Sequence, residues 1–359
     1  MQFHYLLFVL LNVWSLSTNA SRITATDSSI IRKEGTIIND SLTSTILKEN
    51  KVGLKLTRNI KIYLPPGYQT STRRYPVVYY CHSIFGNPNS IFWAAATLLD
   101  SAFNTGASKE FIFVVADYSS ALAGSLYENS IVSGKWLDFT SKELIPFIDK
   151  KYRTISNRNS RAITGDFMGG RGALALAMTH AELFSIVYAM HPVATNVGTR
   201  SWTDLGVNWH KIYHAKSIAE LNGDTPAQIF LTVCQAFLPN PKRPPFYCDY
   251  FMDEDSSGHL TVNTENMVKV QHGFMLDFTL SEYAGELKKL RAIAFDWARD
   301  DGNYDHVYAN RLFTRDLDDL GIQHEAEEYR GTPWNSNWKG DGRFYLRVLP
   351  FLNRYLVFE

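Results

Sequence analysis

Short apolar runs alternate along this chain with helix-period segments, and few architectures accommodate such an alternation. The runs "YPVVYYCH" and "EFIFVVADY" are continuously apolar, the pattern of strands buried on both faces. "NIKIYL" (Asn59 to Leu64) stops at Pro65-Pro66-Gly67, a turn signal. "SRAITGDF", "FSIVYAMHP", "RAIAFDWAR" and "HEAEEYRG" supply four further strands. Helix patterns lie between them, at Ile91 to Phe103, Asp138 to Lys151, Gly172 to His180, Val307 to Leu320 and Phe344 to Tyr355. Strand–helix alternation predicts a mostly parallel, doubly wound α/β sheet with helices on both faces.

One interval breaks the rhythm. Residues 194–290, after the sixth strand, contain "FLPNPKRPPFYCDY" and then helical material, and read as a large insertion over the strand ends. Ligand sites on open α/β sheets lie at the carboxyl ends of the strands, so an insertion there either walls a pocket or only packs. Residues 21–45 are rich in Ser, Thr and charge and read as a flexible leader, leaving residues 46–359 for the folded domain. Before them, Phe3 to Trp14 is apolar but shorter than the ~20 residues a membrane span needs. With Thr18-Asn19-Ala20 as a cleavage box, residues 1–20 read as a signal peptide, which predicts a secreted, periplasmic or extracellular protein with no integral membrane span.

Lys plus Arg and Asp plus Glu balance at 36 each, so charge gives no case for nucleic acid or a membrane surface as partner. Nothing in the sequence signals an oligomeric state. Of the three cysteines, Cys81 reads as a buried thiol, while Cys234 and Cys248 could pair across a loop or stay free. The sequon Asn39-Asp40-Ser41 falls in the leader and matters only on a eukaryotic secretory route.

The stretch "AITGDFMGGRGALALAM" reads as strand, sharp turn and helix. A nucleophile elbow is such a turn, with small residues flanking its apex so that strand and helix can approach closely. With Phe167 at the apex, Gly165 lies two residues before it, and Gly169 and Gly170 two and three after. With Asp166 as apex, Met168 would occupy a position that needs a small residue. A benzyl group cannot attack a carbonyl. On its own the segment could equally be a tight turn that merely needs glycines.

The surroundings carry a resemblance. "IYLPPGY" (Ile62 to Tyr68), "YPVVYYCH", "GDFMGGRGAL", "DDGNYDHVYAN" and "EEYRGTPW" recur in the order found in the esterase group of α/β-hydrolases, which includes esterase D, feruloyl esterases and mycolyltransferases. The chain resembles that group from about Leu47 to its C-terminus. The resemblance implies the α/β-hydrolase fold and a Ser, Asp/Glu, His triad in that chain order. It places the acid at Asp301, with Asp300 as near alternative, and puts Pro333 of Tyr329-Arg330-Gly331-Thr332-Pro333 in the histidine slot, Thr332 being the neighbouring alternative. The His-Gly after the third strand becomes His82-Ser83, which alters the oxyanion loop. Pocket and oxyanion positions then fall to Ser83, Ile84, Phe167, Met168 and Trp334.

Nucleophile and base are therefore both absent from their slots. Histidine takes the serine proton and the acid orients the histidine; loss of any member leaves ~10³–10⁴-fold over water. What remains is oxyanion stabilisation from backbone N–H groups such as that of Met168. Ordinary triad catalysis is not expected. Three readings follow. In the first, an esterase-like protein binds an acylated sugar, lipid or protein without cleaving it. In the second, Ser83 or Ser119 is a displaced nucleophile with His82, His191 or His306 as base, His306 pairing with Asp301 or Asp305. In the third, Phe167 and its neighbours fill the pocket of a structural protein.

No cofactor or metal is expected. A phosphate-cradling GxxxxGK[ST] and a strand-linked GxGxxG are both missing from the sequence. "DGNYDH" and "DEDSSGHLTVNTE" fall short of a calcium loop at position 12, and the second reads as a solvated turn between strands. Trp334 and Trp338, beside the histidine slot, suit either stacking on a ligand or closing the pocket floor.

Overall fold

A computed structural model describes residues 33–333 and 337–359. Trp334 and the whole signal segment lie outside the described residues. Eight strands build one sheet: β1 (Thr36–Thr43), β2 (Thr57–Leu64), β3 (Val77–Cys81), β4 (Ile112–Ala116), β5 (Arg161–Asp166), β6 (Ile186–Met190), β7 (Ala292–Ala298) and β8 (Glu325–Tyr329). Their spatial order is β1-β2-β4-β3-β5-β6-β7-β8. Every pairing from β4 to β8 is parallel, while β1–β2 and β2–β4 are antiparallel.

The runs that are apolar throughout are central strands because each face meets a different core. Val77, Tyr79 and Ile163 point to one face, and Val78, Tyr80 and Ala162 to the other. The first face packs against α2 (Ile145–Lys151), α3 (Met168–Thr179), α6 (Asp277–Leu287) and α7 (Tyr304–Asp319); the second packs against α1 (Pro88–Asn104) and α8 (Leu349–Tyr355). Each fully buried Phe or Leu in these layers contributes about 1.5–3 kcal/mol. Helix α1 starts where the chain supplies a capping box, Asn87 with Ser90, and Pro88 in the first turn.

Part of the expected leader is not a leader. Residues 36–43 form β1, whose eight residues pair in register with Leu64 to Thr57 of β2. Its exposure alternates as an edge strand's does, so Ser- and Thr-rich composition hid a half-exposed strand.

The insertion has a core of its own. Helices α4 (Thr225–Phe237) and α5 (Thr264–Phe274), with Trp202, Trp209 and Phe251, pack against Leu122, Leu126 and Met168 at the strand ends. "DEDSSGHLTVNTE" forms the hairpin Met252–Glu254 and Leu260–Val262, closed by Asp255 Oδ1 accepting from the N–H groups of Ser257 and His259. Arg171 of α3, fully buried, ties the insertion to the sheet. It donates to the carbonyls of Phe274, Gly273 and Leu126 and to Glu128 Oε1 at 2.8 Å. Cys81, Cys234 and Cys248 are all free, buried thiols. Among the described residues no helix is long and apolar enough to cross a membrane.

Candidate functional site

The elbow forms because glycine is obligatory on both sides of it. A Cβ on Gly165 or Gly169 would overlap the Cys81 carbonyl, and one on Gly170 would lie 3.0 Å from the Met190 carbonyl oxygen. Strands β3, β5 and β6 can therefore crowd the first turn of α3. Between β5 and α3 stands Phe167, at φ 53° and ψ −115°. A bulky residue reaches that region only when its surroundings hold it there. Here the Phe167 N–H donates to the Met190 carbonyl at 3.0 Å, and its carbonyl accepts from the Arg171 N–H at 3.0 Å. The strained apex of an elbow is thus kept, with a phenyl group on it.

The ring of Phe167, half-buried, meets two imidazoles. It lies parallel to His191 at 6.2 Å between centroids and perpendicular to His306 at 5.1 Å. His191 follows β6 and His306 sits in the first turn of α7. Both donate to one acceptor, Asp301 Oδ2, each at 2.8 Å. Asp301 Oδ1 accepts from the Asn303 N–H at 2.8 Å. Burial works to raise this carboxyl, but the hydrogen bonds from His191 and His306 outweigh it and hold it well below the usual range.

The remaining ring nitrogens set the tautomers. His191 Nδ1 accepts from the Ala298 N–H at 2.8 Å, so its ring proton is at Nε2. His306 Nε2 faces the Asn303 amide nitrogen at 2.9 Å, while the Asn303 oxygen accepts from Asp305 N–H, so His306 Nε2 is the acceptor. Asp301, His191 and His306 bring three donor atoms within 4.8 Å of one another, the grouping a metal ion would use. The tautomers argue against one. A neutral imidazole that coordinates through Nε2 needs its proton on Nδ1, where the Ala298 N–H already points. The cluster is an acid clamping two histidines.

Oriented by its acid and with Nε2 as acceptor, His306 has the polarity of a catalytic base. Other candidate groups are placed elsewhere. Buried His82 donates from Nδ1 to the Ser83 carbonyl and accepts at Nε2 from the Tyr118 N–H, both at 2.9 Å. Its two nitrogens hold the loop after β3, and burial lowers its basicity. Ser83 Oγ is buried without a hydrogen-bond partner among the described residues. Ser119 accepts from Arg58 beside Asp117. Asp305 caps the loop at Thr199 and Arg200 through their N–H groups.

Pro333 is buried after β8, and Gly331 before it is held by Asp300 through Gly331 N–H to Oδ2 at 3.1 Å. Asp300 thus secures the loop after β8, while Asp301 holds the histidines. Between His82, Leu126 and Met168 lies a cavity of only about 10 Å³, roughly one water. Two participants gave no sequence signal of their role: the Ala298 N–H and the Asn303 amide. An Asn two residues beyond the acid reads as a helix cap, which it also is.

Strand order, an elbow after β5 and an acid after β7 define an α/β-hydrolase. The model of the family described as Putative esterase matches residues 53–233, half of the chain; the chain belongs to that family. An esterase of Mycobacterium tuberculosis is 29% identical over 171 residues, 46% of this chain and 35% of the relative. An endo-1,4-beta-xylanase/feruloyl esterase of Xylanibacter ruminicola is 29% identical over 138 residues, 34% of this chain and 18% of that protein. The chain therefore spans about a third or less of the length of these two curated relatives. Among solved structures, a ferulic acid esterase superposes with TM-score 0.62 at 18% identity, covering 90% of this chain and 99% of the other. An S-formylglutathione hydrolase from Agrobacterium tumefaciens gives 0.55 at 12%, covering 90% and 97%. At these identities the superpositions speak for the fold.

Proposed function

We propose that this protein keeps the esterase frame but does not hydrolyse esters, and acts by binding an acyl ester of a sugar, lipid or protein. One observation carries the reading. The strained apex that exists to present a nucleophile presents the Phe167 phenyl group, packed on His191 and His306. Ligand contacts then fall on the rim, between the oxyanion loop and the insertion. The apolar segment from Phe3 to Trp14 and the box at Thr18-Asn19-Ala20 support export, with the insertion serving as lid.

Purified protein lacking residues 1–20, assayed with p-nitrophenyl acetate and butyrate, tests the reading. A rate equal to buffer is expected. Turnover well above buffer overturns it.

A second reading, hydrolysis by a displaced nucleophile, has one observation in its favour: the Asp301–His306 pair is assembled with the polarity of a base. Turnover abolished by Ser83→Ala or Ser119→Ala would establish it.

A further inference from the structure

Asp166 ends β5 one residue before the apex and is 8% exposed. Its Oδ1 has no hydrogen-bond partner among the described residues, and neither has Asn337 Oδ1 nor Ser83 Oγ. Asn337 is 3% exposed. All three side chains line one cavity of about 270 Å³, whose walls include Phe85, Ile91 and Trp338. Phe167 does not line it.

A buried carboxylate is ordinarily compensated by a cation or by several donors. Among the described residues no Lys or Arg lines this cavity. The titratable groups that face Asp166 are Tyr80 and Cys81 of β3 and Tyr127, and burial raises all three, keeping them neutral. Burial likewise pushes the Asp166 carboxyl up to about 6, partly offset by hydrogen bonds from Tyr80 and Asn337, so above that pH a negative charge sits there with no cation beside it among the described residues.

The chemistry of the cavity is therefore specific. Among the described residues Asp166 is the one charged side chain that lines it, and a primary ammonium group supplies the opposite charge together with N–H donors. The aromatic walls suit the same ion, since an ammonium is attracted to the faces of Trp and Phe. Phe85, 49% exposed and at φ 57°, stands at the mouth in a strained backbone conformation. Small-molecule sites usually measure ~300–1,000 Å³, so this one takes a ligand of fragment size.

We propose that this cavity binds a small arylalkyl ammonium ion, its charge paired with the Asp166 carboxylate and its ring against Trp338 and Phe85. The site adjoins the elbow through Asp166 but is not lined by Phe167, and the proposal does not depend on whether esters are hydrolysed.

Calorimetric titration of the protein with 2-phenylethylammonium chloride at pH 7.5 tests it, with 2-phenylethanol as the uncharged counterpart of the same shape. Saturable one-to-one binding is expected, at least ~10-fold tighter than that of the alcohol. It should weaken ~10-fold at pH 5, where a carboxyl titrating near 6 is about nine-tenths protonated. Asp166→Asn should abolish the preference for the amine. The amine–alcohol comparison and the pH series use the unaltered protein, so the test stands even if that variant folds poorly. No saturable binding, equal affinity for the alcohol, or undiminished binding by a folded Asp166→Asn protein overturns the assignment.

Discussion

The phenyl ring of Phe167 stands perpendicular to the imidazole of His306, with centroids 5.1 Å apart. The apex that carries a nucleophile in working esterases therefore touches a histidine already oriented by Asp301. Phe167→Ser would place a hydroxyl beside this pair and relieve the crowding. Hydrolysis of p-nitrophenyl butyrate is expected to rise at least ~10²-fold over the parent, the lower end of what a positioned general base supplies. Phe167→Ser/His306→Ala should lose the gain, whereas Phe167→Ser/Pro333→His should exceed it. If the His306→Ala background keeps the full gain, His306 is not the base.

Asp301 accepts from both imidazoles, and Asp301→Asn would set an amide where two N–H groups need an acceptor. Loss of about 1–3 kcal/mol is expected from the unsatisfied groups, read by urea unfolding at pH 7. The carboxyl titrates lower in the fold than its unfolded value of about 3.9, so its stabilisation is complete above that value and is lost as pH falls below it. The difference between parent and variant should therefore shrink in unfolding curves taken at pH 3. A difference as large at pH 3 as at pH 7 would contradict the role of the charge.

Asp166 has the opposite sign. Its folded value, about 6, lies above the unfolded one, so the fold favours the protonated form and loses stability as pH rises toward and past 6. Asp166→Asn removes that penalty. A gain of about 3 kcal/mol is expected at pH 8, declining below pH 6 and absent near pH 4. Chemical unfolding without added amine measures it, and a variant less stable than the parent at pH 8 would refute the assignment.

Gly169→Ala would drive a methyl group into the Cys81 carbonyl. About 3 kcal/mol of destabilisation is expected, the upper end for overpacking, seen as a fall in Tm. A Tm within a degree of the parent would show that β3 and α3 can separate at no cost.

Arg171→Met leaves half-buried Glu128 without its partner and frees three carbonyls of the insertion and its neighbour loop. Breaking a buried pair from one side costs ~3–5 kcal/mol. Limited proteolysis should then cut within residues 194–290 before the rest of the domain. Uniform resistance would mean that the apolar core of the insertion holds it alone.

Much of this architecture is legible in the chain because it rests on local rules. Continuous apolar runs become central strands since both faces of the sheet are covered. Gly165, Gly169 and Gly170 reveal the elbow, because no other residue tolerates that approach of backbones. A carboxylate shortly after β7 is readable in the chain as Asp301, whereas its two histidine partners are not. The edge strand β1 was not legible: its side chains are half solvated, so its composition matches that of an unstructured leader. What Phe167 touches also lay beyond the sequence. His191 and Asp301 are 110 residues apart, and only the adjacency of β6 and β7 brings them to one point. Which of four histidine nitrogens accepts, and that Asp166 lies buried against a cavity, follow from the convergence of strand ends, loops and the packed insertion. Periodicity and turn chemistry act over a few residues and settle the frame; side-chain convergence acts across the fold, and tertiary packing alone decides it.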